Sequence, residues 1–348
     1  LPASCRLSAV PASTAAALPA VPTAAVNFTA SCSRSLLPRV LLLSAVIIWG
    51  WTFVATKILL AELGPIEIFA MRMLLGLPFL GGVLLLKRVP LRFGREDVVP
   101  LLAGGGIFTL HFMIQASGLM MTTATNSAWI ICVSPLAVAV LSFLFLRERL
   151  GWSGIVGIAI ATMGILLLVS RGNLTDLRWL RSTGDWLVLA SAHTWAVYTV
   201  TTRNLARRRN PLAVTFGILL VAGLFTAVLF AVTGDVSRVR SLTPRGIAAL
   251  LYLAIPGLAI GQWFWQEGVA KLGATRAGLY LYLEPLATLM LAAPLLGERF
   301  GAVAALGGGL VLGGVYIGQR DREMTDSESA AADPESDDRG GPDDQYQE

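Results

Sequence analysis

Charged residues are scarce in this chain. Asp, Glu, Lys and Arg make up 14% of its 348 residues, against about 25% in a soluble globular domain. That shortage excludes an ordinary water-facing surface. Histidine and cysteine are scarcer still: His111 and His193, and Cys5, Cys32 and Cys132. Two histidines in separate apolar stretches cannot build a histidine metal cluster. Three cysteines without ligand spacing give neither a zinc site nor a disulfide framework. No H-E-x-x-H, G-x-S-x-G or Walker A sequence occurs, which argues against a membrane-embedded enzyme and against ATP hydrolysis by this chain. No cofactor and no metal are expected. The net charge of +5 is no nucleic-acid signal, because the basic residues stand in loops beside apolar stretches.

What is present is apolar length. Hydrophobic residues make up 55% of the chain, mean hydropathy is +0.68, and there are 35 glycines. A helix needs about 20 apolar residues to cross a bilayer, and lipid offers its backbone no partner, so each span must be helical. Ten stretches qualify, near 38–60, 67–86, 98–118, 123–146, 152–170, 185–202, 212–233, 246–268, 275–296 and 301–318. The expected fold is an all-α integral membrane protein with ten transmembrane helices. Residues 1–35, broken by Pro2, Pro11, Pro19 and Pro22, read as a disordered tail, and so does the acidic stretch 321–348. Gly309-xxx-Gly313 and Gly314-xxx-Gly318 have the spacing that lets membrane helices approach closely. With the N-terminus inside, the inner segments hold fifteen Lys and Arg and the outer loops seven. The positive-inside bias therefore puts both termini in the cytoplasm, and the expected location is a bacterial plasma membrane.

The chain also repeats itself. Residues 118–168 align with 268–318 without a gap: Gly118 with Gly268, Ala124-Thr125 with Ala274-Thr275, Pro135-Leu136-Ala137 with Pro285-Leu286-Ala287, and Glu148-Arg149 with Glu298-Arg299. Gly157 and Gly164 match Gly307 and Gly314. A weaker match at an offset of 146 pairs residues 49–57 with 195–203. The halves are 36–170 and 185–320, joined by a linker at 171–184. Five spans in each half put the second into the membrane upside down, an inverted repeat common in secondary transporters, with the substrate site near the midplane.

Four stretches carry a family resemblance. They are Trp49-Gly50-Trp51-Thr52-Phe53-Val54-Ala55-Thr56-Lys57, Ala70-Met71-Arg72-Met73-Leu74-Leu75, Ser134-Pro135-Leu136 with Leu146-Arg147-Glu148-Arg149-Leu150-Gly151, and Leu283-Glu284-Pro285-Leu286 with Leu296-Gly297-Glu298-Arg299. In this order the chain resembles the EamA-like ten-helix transporters of the drug/metabolite transporter superfamily over about residues 38–320. Trp51 stands where the family usually has a smaller residue. The resemblance implies movement of a small-molecule substrate, such as an amino acid or a drug, through a central cavity between the halves. The expected function is metabolite efflux by alternating access. A channel or uncoupled facilitator is the alternative.

Ionisable groups within hydrocarbon are costly and usually face the bundle interior. Glu284 is the leading candidate, to bind a substrate ammonium or to accept a coupling proton. Arg276, Tyr280 and Glu284 fall at i, i+4, i+8, and Asn126, Ile130 and Ser134 repeat that stripe in the first half. Lys57 and Arg72 are the candidate anion contacts, and Trp49 and Phe53 share a helix face with Lys57. His111 with Gln115, His193 and Trp195 complete the candidate cavity residues. Gln262, Gln266 and Glu267 read as the wall of an inward vestibule. Glu148-Arg149 and Glu298-Arg299 read as ion pairs or caps rather than site residues.

Overall fold

The structure, a computed structural model, describes residues 24–148, 151–169, 182–296 and 302–319. Leu1–Leu37 form one compact unit and Pro38–Glu348 another, which holds the helix bundle. Every described element is helical: α1 (Ala24–Leu59), α2 (Pro65–Leu86), α3 (Arg95–Met121), α4 (Ala124–Leu146), α5 (Trp152–Val169), α6 (Thr183–Arg208), α7 (Pro211–Thr233), the short α8 (Val236–Arg240), α9 (Pro244–Leu272), α10 (274–296) and α11 (Ala302–Gly318). Among the described residues six helices are long and apolar enough to cross a membrane: Leu36–Leu59, α2, α3, α4, α7 and α9. α1 begins at Ala24, inside the stretch read as a tail. Residues 1–23, most of the linker, Glu298-Arg299 and the acidic stretch lie outside the described residues.

The helix starts follow the sequence. Proline occupies the first turn of α2, α7 and α9, where its missing N–H costs nothing. Ser182 and Asp185 form a capping box on α6, with Ser182 N–H donating to Asp185 Oδ2 at 2.8 Å and Asp185 N–H to Ser182 Oγ at 3.1 Å.

Two interior prolines shape α4 and α10 in the same way. Pro135 and Pro285 have no N–H to return to the carbonyls of Ile131 and Leu281, and their rings crowd those carbonyls. The backbone tightens into 3₁₀ turns at Ile131–Val133 and Leu281–Leu283. There Ser134 N–H donates to Ile131 O and Glu284 N–H to Leu281 O. The turns stand 150 residues apart, the offset of the repeat.

Glycine sets the closest helix contacts. A Cβ on Gly157 would meet Gly314 O at 2.6 Å, and one on Gly164 would meet Gly307 O at 2.7 Å. Residue number rises along α5 as it falls along α11, so these helices pack antiparallel, glycine on glycine. Gly318 joins the seam, 2.6 Å from a Cβ on Gly157, but Gly309 and Gly313 have nothing within 4 Å. Of the two glycine pairs with packing spacing, only the second packs. At about 100° per residue, positions 309 and 313 fall well away from the 307–314–318 face.

The two ends of the bundle are tied differently. At one, Arg209 Nη2 pairs with Glu96 at 2.6 Å and Asp97 at 2.8 Å, joining α3 to the end of α6. At the other, Asn126 Nδ2 and Thr122 Oγ1 donate to Asp185 Oδ1 at 2.7 and 2.6 Å, joining the α3–α4 turn to the start of α6. On that side, outside the spans, Glu62 accepts from the N–H and hydroxyl of Thr243 at 2.8 and 2.7 Å, which holds its carboxyl below the usual range.

Candidate functional site

Four helices bring the charged candidates to one place. α1 packs onto α10 because Gly50 has no side chain: a Cβ there would stand 2.6 Å from Glu284 O. Thr288 Oγ1 donates to Gly50 O at 2.8 Å across this contact, and Trp51 Nε1 donates to Ala287 O at 2.9 Å. The unusual Trp51 is thus a strut between α1 and α10. α2 supplies Arg72 and α3 supplies His111, Phe112 and Gln115.

Between these helices lies a cavity of about 440 Å³, counting the part open to solvent. Its wall includes Trp49, Phe53, Arg72, His111, Gln115, Ser134, Trp195 and Glu284, eight of the residues singled out from the sequence. Thr52, Phe112, Ile131, Gln262 and Leu281 complete it. A smaller pocket shares Thr52, Phe53, Arg72, Phe112 and Gln115 and continues toward Thr56, Pro65 and Leu119.

The cavity wall carries one basic and one acidic side chain. Arg72 is 4% exposed and Glu284 6%. The Arg72 guanidinium lies 4.5 Å over the centre of the Phe112 ring, a cation–π contact, and its Nε has no hydrogen-bond partner. Among the described residues no ion pair joins Arg72 to Glu284 or to any other carboxylate. A buried charge without a partner is expensive, so both groups invite a ligand or a counter-ion. His111 Nδ1 lies 2.9 Å from Ser191 O. A carbonyl only accepts, so Nδ1 carries a proton in this contact.

An aromatic cluster closes one wall. Trp49 and Trp195 meet edge to face with centroids 5.0 Å apart, and Trp265 stands 5.4 and 5.7 Å from them. Trp49 and Trp195 are repeat equivalents, so the two halves meet here through the same residue type. Ile131 with Leu281 and Ser134 with Glu284, also equivalents, line the cavity as well.

Four candidates lie elsewhere. Lys57 Nζ donates to Leu119 O at 2.7 Å and Thr122 O at 2.6 Å, satisfying carbonyls left open at the C-terminus of α3. Replacing Lys57 by Leu is expected to lower stability by about 1–3 kcal/mol through those stranded carbonyls, read as a lower melting midpoint. Asn126 ties α4 to Asp185. His193 is exposed, with Nδ1 2.9 Å from Leu189 O. Tyr280 is buried in the core, outside the cavity's lining residues. The 3₁₀ turns explain its place. In a 3₁₀ turn i and i+3 eclipse, so Ser134 and Glu284 share a face with Ile131 and Leu281 rather than with Ile130 and Tyr280.

Gln262, read from the sequence as a vestibule residue, lines the cavity itself. Thr52 and Phe112 carried no signal beyond adjacency to Phe53 and His111.

The sequence pattern of the EamA-like transporter family matches residues 37–170 and again 182–318. The chain belongs to that family. It is a multi-pass membrane transporter of the drug/metabolite transporter superfamily, and each half carries the family pattern once. Among its relatives, an uncharacterized transporter of Archaeoglobus fulgidus is 29% identical over 80% of this EamA-like chain and 96% of its own. An Escherichia coli K12 relative described as a probable amino-acid metabolite efflux pump is 27% identical over 80% and 93%. A solved crystal structure, 19% identical, shares the fold with a TM-score of 0.66 over 81% of this chain and 96% of that one.

Proposed function

We propose that this EamA-like chain is a secondary transporter that exports small zwitterionic metabolites of the amino-acid class, by alternating access around the cavity between two inverted five-helix halves. The observation that carries the substrate class is the presence of a basic and an acidic side chain, the buried Arg72 and Glu284, on the wall of one cavity with no ion pair between them among the described residues. An α-amino acid brings a carboxylate for Arg72 and an ammonium for Glu284, so one ligand neutralises both. The Escherichia coli relative's name points the same way. The inverted reading is supported by the antiparallel glycine seam of α5 and α11, whose glycines are repeat equivalents taken crosswise. It is supported again by α10 starting beside the end of α4, where Ala274 and Thr275 donate to Glu148. With the basic ends cytoplasmic, the pocket that reaches Thr56, Pro65 and Leu119 faces outward. A proton on Glu284 is the candidate coupling ion for the return step.

The test is competition in proteoliposomes loaded with leucine. Leucine is expected to exchange, while its amide (no carboxylate) and its deaminated analogue 4-methylpentanoate (no ammonium) compete at least about tenfold less well. Arg72→Gln should raise the leucine KM by about 30-fold or more, as for truncation of one partner of a buried charge pair, and should narrow the gap between leucine and its amide. Equal competition by all three compounds in the wild type would remove the zwitterion reading.

A further inference from the structure

Six residues of the pocket that reaches Thr56 and Leu119, on α1 and α3, have counterparts on α6 and α9 of the other half. The offset of 146 pairs Thr52, Phe53 and Thr56 with Tyr198, Thr199 and Thr202. The offset of 150, carried back along α3 and α9, pairs Phe112, Gln115 and Ala116 with Gln262, Trp265 and Gln266. Two packing pairs check these offsets against the coordinates. A Cβ on Gly118 would meet Val188 at 2.9 Å, and one on Gly268 would meet Leu42, the residue equivalent to Val188.

The two sets differ in exposure. In the first set Thr52, Thr56, Phe112 and Gln115 are half-buried beside open space, while Phe53 and Ala116 are buried. Tyr198, Thr199, Thr202, Gln262, Trp265 and Gln266 are at most 1% exposed. The second set is nevertheless polar and poorly satisfied. Gln262 has neither amide atom hydrogen-bonded, and Gln266 Oε1, Thr199 Oγ1, Trp265 Nε1 and the adjacent Trp195 Nε1 are also without partners. Gln266 Nε2 donates to Tyr198 Oη at 2.8 Å and Thr202 Oγ1 at 3.2 Å. Buried polar groups are rarely left unpaired, and here a row of them runs along α6 and α9. At the far end of the row stands Arg203, whose Nε is 2.6 Å from Glu148 Oε1. Glu148 also accepts from Thr275 N–H at 3.1 Å and Thr275 Oγ1 at 2.9 Å. Arg203 of α6, the end of α4 and the start of α10 are thereby fastened together. Lys57, the counterpart of Arg203, makes no such ion pair among the described residues and sits on α3 carbonyls instead.

We infer that Tyr198, Thr199, Thr202 and Gln266, which continue from the cavity residue Gln262, are a second set of substrate-facing residues, the opposite half of the transport path, collapsed in this structure and fastened by Glu148 and Arg203. The inference rests on the alternating-access reading. It adds which residues face the substrate in the other state and which contacts break to reach it. The unpaired polar atoms then find water or substrate. The ion pair and the Gln266–Tyr198–Thr202 hydrogen bonds are the contacts that oppose opening.

Side-specific cysteine labelling tests this. In a background with Cys5, Cys32 and Cys132 changed to Ser, Thr56→Cys, Gln115→Cys, Thr199→Cys and Gln266→Cys are made one at a time. Each is exposed to a membrane-impermeant charged maleimide in right-side-out and in inverted vesicles. Thr56→Cys and Gln115→Cys are expected to react from one face only, and Thr199→Cys and Gln266→Cys from the other. Adding Glu148→Gln should speed the second pair at least about tenfold and slow the first, as a shift of a two-state population requires. Monodisperse elution of each variant guards against misfolding. If correctly folded Thr199→Cys and Gln266→Cys react from the same face as Thr56→Cys, or from neither, the inference is overturned even where leucine exchange by the wild type stands. If they react from the opposite face but leucine does not exchange, the path stands and the proposed substrate class falls.

Discussion

Glu284→Gln is expected to reduce substrate exchange in proteoliposomes by at least about 30-fold, with membrane insertion unchanged. Glutamine keeps the size and the hydrogen-bonding oxygen of the side chain and loses only the charge and the titratable proton. The residue is 6% exposed and lines the cavity that Arg72 also lines. Removing one member of a buried charge pair costs about 2–5 kcal/mol, and each 1.4 kcal/mol is a factor of ten. In the alternating-access reading the carboxylate is needed once per cycle, for the substrate ammonium or for a proton. The variant should therefore also lose any dependence of flux on the pH difference across the membrane. Flux and pH dependence like those of the wild type would remove Glu284 from the mechanism.

Gly314→Val is expected to destabilise the α5–α11 seam strongly. Its Cβ would lie 2.5 Å from Ala161 N and 2.6 Å from Gly157 O. Both are backbone atoms, so no side-chain rotation relieves the clash and one helix must move. Overpacking of this kind costs about 1–3 kcal/mol, occasionally more. Gly313→Val, one position away, meets nothing within 4 Å and should stay within about 0.5 kcal/mol of the wild type. Thermal unfolding of both variants in the same detergent measures the difference directly. Equal midpoints would mean that the seam does not hold the bundle together.

The helical organisation was readable because lipid leaves a spanning chain almost no choice. Long apolar stretches must be helices, and the 150-residue repeat announces itself through prolines and glycines whose spacing tolerates no slip. Glu284, Arg72 and Trp49 were readable as cavity residues because a charge or a large indole in a span needs a special environment. The sequence misled where local backbone geometry changes the period. A stripe at i, i+4, i+8 assumes 3.6 residues per turn, and the 3₁₀ turns before Pro135 and Pro285 replace Ile130 and Tyr280 by Ile131 and Leu281 on the cavity side. Lys57 is a different case. Its charge is as unusual as that of Arg72, but the open carbonyls of α3 lie within its reach, and that neighbour belongs to another helix far along the chain. Gln262 was placed in an inward vestibule rather than in the cavity because a neutral amide toward a span's end has many uses. Only the packing of α9 against Trp49 and Trp195 turns it toward the cavity.

The central claim, that a small metabolite crosses through the cavity holding Glu284, is tested most directly by untargeted metabolite profiling of cells and medium. Cells carrying the wild type, Glu284→Gln or an empty vector are compared at matched membrane expression. The account predicts that one class of zwitterionic metabolite accumulates in the medium of wild-type cells alone. Indistinguishable profiles in all three strains, or equal displacement by wild type and Glu284→Gln, would contradict it.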